Sequence, residues 1–199
     1  MATTINASTS GGLVQTADTS GTLQLQSAGT TQFTVDSTGA YGTLEYKTAV
    51  ASTSGTSIDF TGIPSWAKRI TVMFNGVSTN NISIILVQLG STTYTTTGYV
   101  GSVSQPQNAG ASSASNFSTG FMIDGTANGA AVRYGTSTLV NISGNNWIQQ
   151  SIIGRSDALA SASGAGSVAL SGTLDRVRIT TVNGTDTFDA GTVNIIYEG

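Results

Sequence analysis

The residue types that carry most enzyme chemistry are scarce in this sequence or missing from it. There is no histidine and no cysteine among its 199 residues. That removes the commonest general base, the commonest transition-metal ligand and every thiolate. Ser156 lies in Gly154-Arg155-Ser156-Asp157-Ala158, one glycine short of the G-x-S-x-G nucleophile elbow. Without histidine, no Ser-His-Asp triad can be assembled around it. Gly164-Ala165-Gly166-Ser167-Val168-Ala169 spells the dinucleotide pattern G-x-G-x-x-A. It leads into a strand-forming run, so no helix N-terminus is available to a pyrophosphate. Asp186 and Asp189, beside Asn183, offer oxygens to a hard cation such as Ca²⁺, without the further acidic groups of a tight site. Asx-type turns use the same residues. Glu45 and Glu198 are the only glutamates, one ahead of a hinge-like stretch and one at the end of the sequence. Paired-carboxylate glycoside hydrolysis is not expected from them. The sequence therefore predicts no catalytic residue, no cofactor and no metal.

Binding chemistry remains. Aromatic rings flanked by Asn, Gln and Ser can stack on sugar rings. Tyr94 and Tyr99 lie in Thr92–Gly101, Phe117 closes a Ser-rich stretch, and Trp147 follows Asn145-Asn146. Tyr94, Tyr99, Phe117 and Trp147 are thus the candidate glycan contacts. For Trp147, as for Trp66, core packing at the start of a strand is the competing use.

These side chains must be positioned by strands. Ser, Thr and Gly dominate, charge is sparse, and Thr, Val and Ile favour strands over helices. Lys and Arg total 7 against 10 Asp and Glu, a net charge of −3 with no basic stripe, so nucleic acid is not an expected partner. No apolar run approaches the ~18 residues of a membrane span, and the opening MATTINAST lacks the charged flank and apolar core of a signal peptide.

Three regions follow. Residues 1–46 comprise a polar arm and a β-module with short runs at Leu23–Gln26 and Gln32–Asp36. A segment of this size holds too few apolar residues to fold alone. It is expected to pair with copies of itself or dock on another surface, a flexible linker being the alternative that the TLQLQ and TQFTV alternation argues against. Residues 47–55 read as a hinge. Residues 56–199 read as one β-sandwich, of jelly-roll type, from a steady series of alternating runs. Clear examples are Lys68–Val77, Ala131–Ser143, Asn146–Arg155, Leu174–Val182 and Thr192–Glu198. Gly101–Ser118 and Ser156–Gly166 read as long loops. Thr92–Val100 reads as a strand. Ile82–Leu89 is apolar on both faces, so Ile85 and Val87 are expected to lie under the chain's own loops or against a neighbouring subunit.

Two stretches resemble known proteins. GTLQLQSAGTTQFTVDSTGAYG resembles a short β-module of tail-fibre, appendage and other virion proteins of tailed phages, marine and cyanobacterial ones among them. Here the module occurs once, with Ala40-Tyr41-Gly42 where the family's Gly-Ile-Gly stands. SIDFTGIPSWAKRITVMFNGVSTN and LDRVRITTVNGTDTFDAGTVNIIYEG resemble the opening and closing strands of a small C-terminal sandwich of such proteins. The resemblance implies a non-enzymatic protein of the virion surface, assembled in the host cytoplasm. It implies a short homotrimeric tail fibre or appendage, attached to another virion protein through residues 1–46. The knob would contact host-surface polysaccharide. A capsid decoration or head fibre, and then a stand-alone carbohydrate-binding module, are the alternatives. Leu23, Leu25, Phe33, Val35, Ile85 and Val87 are the candidate trimer contacts.

Overall fold

In a computed structural model of the protein, residues 21–36, 39–41, 44–107, 112–126 and 128–199 are described. Every regular element among them is a β-strand, and all pairings are antiparallel. Two compact units divide at residues 43 and 44.

The first unit is a three-stranded sheet of β1 (Leu23–Ser27), β2 (Thr30–Asp36) and β3 (Gly39–Tyr41). Ala28 and Gly29 both have positive φ (50° and 77°), the signature of a two-residue type I′ hairpin turn. The register sets Leu23 opposite Val35 and Leu25 opposite Phe33. Cross-strand partners share a face, so the four apolar side chains form one patch. Leu23 and Leu25 remain exposed; Phe33 and Val35 are half-buried.

The second unit is a sandwich of two sheets. Its strands, in chain order, are β4 (Leu44–Tyr46), β5 (Val50–Ala51), β6 (Ser57–Thr61), β7 (Arg69–Thr79), β8 (Ile85–Ser91), β9 (Thr93–Tyr94), β10 (Val100–Pro106), β11 (Ser112–Asn116), β12 (Phe121–Met122), β13 (Arg133–Ser143), β14 (Asn146–Arg155), β15 (Ala160–Ala169), β16 (Arg176–Thr181) and β17 (Phe188–Glu198). The larger sheet has nine strands in the order β11-β10-β15-β14-β13-β7-β17-β4, with β5 also on β17. The smaller has five, β12-β8-β16-β6 with β9 on β8. A jelly roll places eight strands in two Greek keys; here β13, β14 and β15 run as a plain meander in one sheet. Alternation puts Ile70, Val72 and Phe74 of β7 inward and leaves Thr71 and Met73 half-exposed on the other face. Together with Leu139, Ile153, Ile195 and Tyr197 of the same sheet and Ile58, Phe60, Val177 and Ile179 of the smaller one, they form one core.

Several sequence expectations change. The stretch 101–118 is not a loop: β10 and β11 form a hairpin within it, pairing Ser102 with Asn116 and Pro106 with Ser112. The stretch 156–166 is strand from Ala160 onward, paired along its whole length with β14. Both are built of Ser, Gly and Ala, which lack the β-branched signal. In 92–100, only Thr93–Tyr94 and Val100, the first residue of β10, pair as strand; residues 95–99 between them are irregular. The segment 47–55 is stitched to the sandwich by β5 on β17 and by Ser52 N–H donating to Gly191 O at 2.9 Å. It therefore belongs to the second unit. Ile85 and Val87 are fully buried inside their own chain, opposite Thr181 and Ile179 of β16, and are closed to a neighbouring copy. The other face of β8 is covered by the Thr119–Gly120 segment, to whose Thr119 carbonyl Gln88 Nε2 donates at 2.9 Å.

Small residues in β10 and β15 are a packing requirement. Gly101 and Gly166 face each other in register. A Cβ on Gly166 would lie 2.4 Å from Val100 O and 2.7 Å from the Phe117 ring. Gly166→Ala is expected to lower stability by about 1–3 kcal/mol through overpacking. Gly154→Ala, where the nearest atom is 3.9 Å away, is expected to leave stability nearly unchanged. Urea denaturation of both variants checks the contrast.

Candidate functional site

The residues that suggested chemistry do not converge. Ser156 is exposed in the turn after β14, beside Asp157. The carboxylate of Asp157 is held by Arg155, Nε at 3.0 Å and Nη2 at 2.5 Å. Gly164–Ala169 lies inside β15, its backbone engaged in ladders with β14 and β10. Asp186 accepts from Ser83 N–H at 2.8 Å and Asn183 Nδ2 at 2.6 Å. Asn183 Oδ1 in turn accepts from the N–H groups of Thr185 and Asp186 at 3.0 and 3.1 Å, an Asx-type turn. Asp189 accepts from the Ser78 hydroxyl. Glu45 pairs in register with Tyr197, and Glu198 with Leu44. Neighbouring residues on a strand point to opposite faces. The two glutamates therefore lie on opposite faces of the sheet and cannot flank one glycosidic bond. Among the described residues, no three acidic side chains come together as a metal site.

The aromatic candidates are mostly core. Tyr99 is buried, its hydroxyl accepting from Leu89 N–H at 2.8 Å and donating to Thr95 O at 3.1 Å. Burial pushes its phenol well above the usual range. Phe117 and Tyr99 both pack edge-on against Phe121, at 5.7 and 4.8 Å between centroids. Trp147 is buried on the inner face of β14. These three are closed to a sugar ring: Trp147 is on the inward face of β14, and Tyr99 and Phe117, at the ends of the β10–β11 hairpin, pack into the core on Phe121. Tyr94 is half-exposed, but the Arg178 guanidinium sits 3.9 Å from its ring centroid. Arg178 is itself clamped by Asp59 through two 2.7 Å hydrogen bonds. Beside this stack lies a polar cleft of about 290 Å³, lined by Gln88, Thr119, Arg178 and Thr180 among others. Composition alone concealed it, since it joins residues from five separate stretches.

A second feature is internal. Arg133 and Arg155 are cross-strand partners on β13 and β14, and their side chains point inward. Arg133 Nε donates to Asp124 at 2.5 Å, both side chains being fully buried, and its Nη1 donates to Ala131 O at 3.0 Å. Burial pushes the Asp124 carboxyl upward, and the facing Arg133 opposes that shift. Gln149 Nε2 donates to Ser137 Oγ at 2.9 Å nearby. The Arg133 bonds tie Asp124 and Ala131 to β13 between the sheets; the Asp124 carboxylate faces a guanidinium, not an open cleft.

A third feature is the outer face of the larger sheet. A shallow trough of about 370 Å³ runs along it, lined by Ser102, Ser104, Gln150, Ile152, Ser163 and Ala165 among others.

The arrangement thus defines an all-β, two-sheet protein with polar surface depressions. Compared with known proteins, the chain matches no family model, no curated protein and no solved structure.

Asp124→Ala leaves the Arg133 guanidinium buried and unpaired and is expected to lower stability by about 3–5 kcal/mol, whereas Asp124→Leu combined with Arg133→Met recovers most of that loss. Chemical denaturation of the single and double variants tests this. The Arg155 partner holds Asp157 below the usual carboxylate range. Its contribution is complete above the unfolded value of ~3.9 and is lost as pH falls through the folded value. Asp157→Asn should therefore shrink the drop in Tm on acidification below about pH 4, measured by thermal scans across pH.

Proposed function

We propose that the chain is a non-enzymatic structural protein of a tailed-phage virion, a short fibre or appendage that projects its sandwich as a knob. The observation that carries this reading is the division of labour along the chain. Reactive side chains are engaged in internal ion pairs and turns. The first unit, in contrast, gathers Leu23, Leu25, Phe33 and Val35 on one face of a sheet too thin to bury them. Such a patch is satisfied by copies of the chain, by another virion protein, or by both. The resemblance of the module and of the sandwich's end strands supplies the virion context. Placement on the capsid as a decoration protein is the second reading, favoured by the broad uncharged face of the larger sheet, which suits packing on a lattice.

Glycan contact, in this reading, belongs to the cleft beside Arg178 and not to the buried rings. Hydroxyl and amide groups from Gln88, Thr119 and Thr180 line it, a donor and acceptor set suited to a polyol.

Antibody labelling of intact particles, with copy number from quantitative mass spectrometry, tests the proposal. A few copies at the tail support a fibre, and a number matching the capsid lattice supports decoration. Absence from purified particles overturns both. On a glycan array, the full chain is expected to bind, and Gln88→Ala to weaken that binding while leaving the fold intact by circular dichroism.

A further inference from the structure

The outer face of the larger sheet is ordered in a way that selects its occupant. On β14, Ile148 and Ile152 stand out, 40% and 59% exposed, with Gln150 between them. On β15 the outward residues opposite them in register are Ser167, Ser163 and Ala165. On β10 they are Val100, Ser104 and Ser102. A ridge of long side chains thus runs beside a strip of small ones, and the strip is the 370 Å³ trough. Ridge and trough lie on one face, side by side.

Charge is the second observation. From β10 through β15 and β14 to β13, no outward-facing side chain is ionisable except the Tyr134 phenol at one end. Arg69, at the corner on β7, is paired with Glu198 at 3.3 Å. A polyanion or a cationic surface would find nothing to pair with here. Two copies of this chain, each of net charge −3, can meet here without placing like charges together.

Size is the third. Strands lie ~4.8 Å apart and rise ~3.3 Å per residue, so these four strands over about nine residues present roughly 570 Å². That approaches the ~600–1,000 Å² that a specific interface takes from each partner.

We infer that this face seats a second copy of the chain, with the Ile148–Ile152 ridge of one copy in the Ser163–Ala165 trough of the next. The placement rests on the self-assembly part of the reading above. It replaces Ile85 and Val87, which are closed inside the core, as the knob's contact between copies. Because ridge and trough lie side by side on one face, two copies related by a two-fold axis each set their ridge in the other's trough, a self-complementary contact.

The absence of cysteine from the chain makes the test direct. Full-length Ile152→Cys and Ser163→Cys chains, co-expressed and oxidised, are expected to form disulfide-linked dimers between the two variants. Ile152→Cys with Thr61→Cys, on the smaller sheet, is the control pair and should not. Light scattering should show the unmodified chain to be an oligomer, with Ile148→Lys plus Ile152→Lys weakening association about tenfold or more. A monomeric unmodified chain overturns both this inference and the self-assembly reading. An oligomer whose Ile152→Cys and Ser163→Cys chains do not cross-link overturns the placement alone. Links only between two Ile152→Cys chains would mean ridge on ridge, and also overturn it. So would protection of Cys at 152 from a thiol reagent in a diluted, monomeric sample, because the chain's own first unit would then be the cover.

Discussion

The ladder between β7 and β17 is the constraint on which the sandwich hangs. It pairs Arg69 with Glu198 at one end and Thr79 with Phe188 at the other. Both strands turn Ile, Val, Phe and Tyr inward. The chain leaves β7 into β8 and enters β17 from β16, and β8 pairs with β16 in the other sheet. One long-range pairing therefore places two strand pairs, one in each layer, and the core closes between them. The free edge of β17 receives β4 and β5, and the free edge of β7 receives the β13–β14–β15 meander. Such a ladder closes a loop of more than a hundred residues, so it is slow to form and stabilises only when the intervening strands are in place.

How much of this was legible depended on what each strand packs against. β7, β13, β14, β16 and β17 are rich in β-branched residues, and the sequence places them within a few residues. Most of β10, all of β11 and the first half of β15 were read as loops because Ser, Gly and Ala dominate them. Their composition answers a tertiary demand: Gly101 and Gly166 let the backbones approach under the Phe117 ring. That demand exists only once β10 lies beside β15, and no local signal contains it. The same error moved the aromatic candidates outward. Tyr99 and Phe117 flank what is a strand hairpin, and so they enter the core with Phe121. The cleft beside Arg178 draws on β6, β8, β16 and the connections that carry Thr96, Thr119 and Asn183, a conjunction that only the fold creates. The apolar patch of the first unit was legible, because Leu23, Leu25, Phe33 and Val35 need only one hairpin to meet.

Charge is used sparingly and almost wholly inside the chain. Each of the five arginines has a carboxylate partner: Arg69 with Glu198, Arg133 with Asp124, Arg155 with Asp157, Arg176 with Asp175, and Arg178 with Asp59. One of these pairs, Arg133 with Asp124, lies within the sandwich; Arg155 is buried too, but its partner Asp157 stands in the exposed turn after β14. Replacing such pairs by apolar residues is often neutral for stability, so their presence is weak evidence that they stabilise the fold. Their geometric effect is clearer. A guanidinium aimed at one carboxylate tolerates little displacement, so the pairs on Arg133 and Arg155 fix Asp124 and Asp157, both outside the strands, beside a regular strand.

This economy decides what the outside can recognise. With the guanidiniums paired, recognition by long-range electrostatics has little to work with, and contact must come from shape and from hydroxyl and amide hydrogen bonds. The two sheets differ in how they offer these. The smaller sheet carries its ion pairs and the Tyr94–Arg178 stack on the outer face, with a cleft sized for a few polar groups. The larger sheet carries a ridge and a trough with no charge between them. Exposed Ile148 and Ile152 on a flat sheet would be a liability for a solitary chain, because a broad apolar face invites association. A face that exposes Ile148 and Ile152 and carries no lysine or arginine on β10, β15, β14 or β13 fits the contact between copies proposed above.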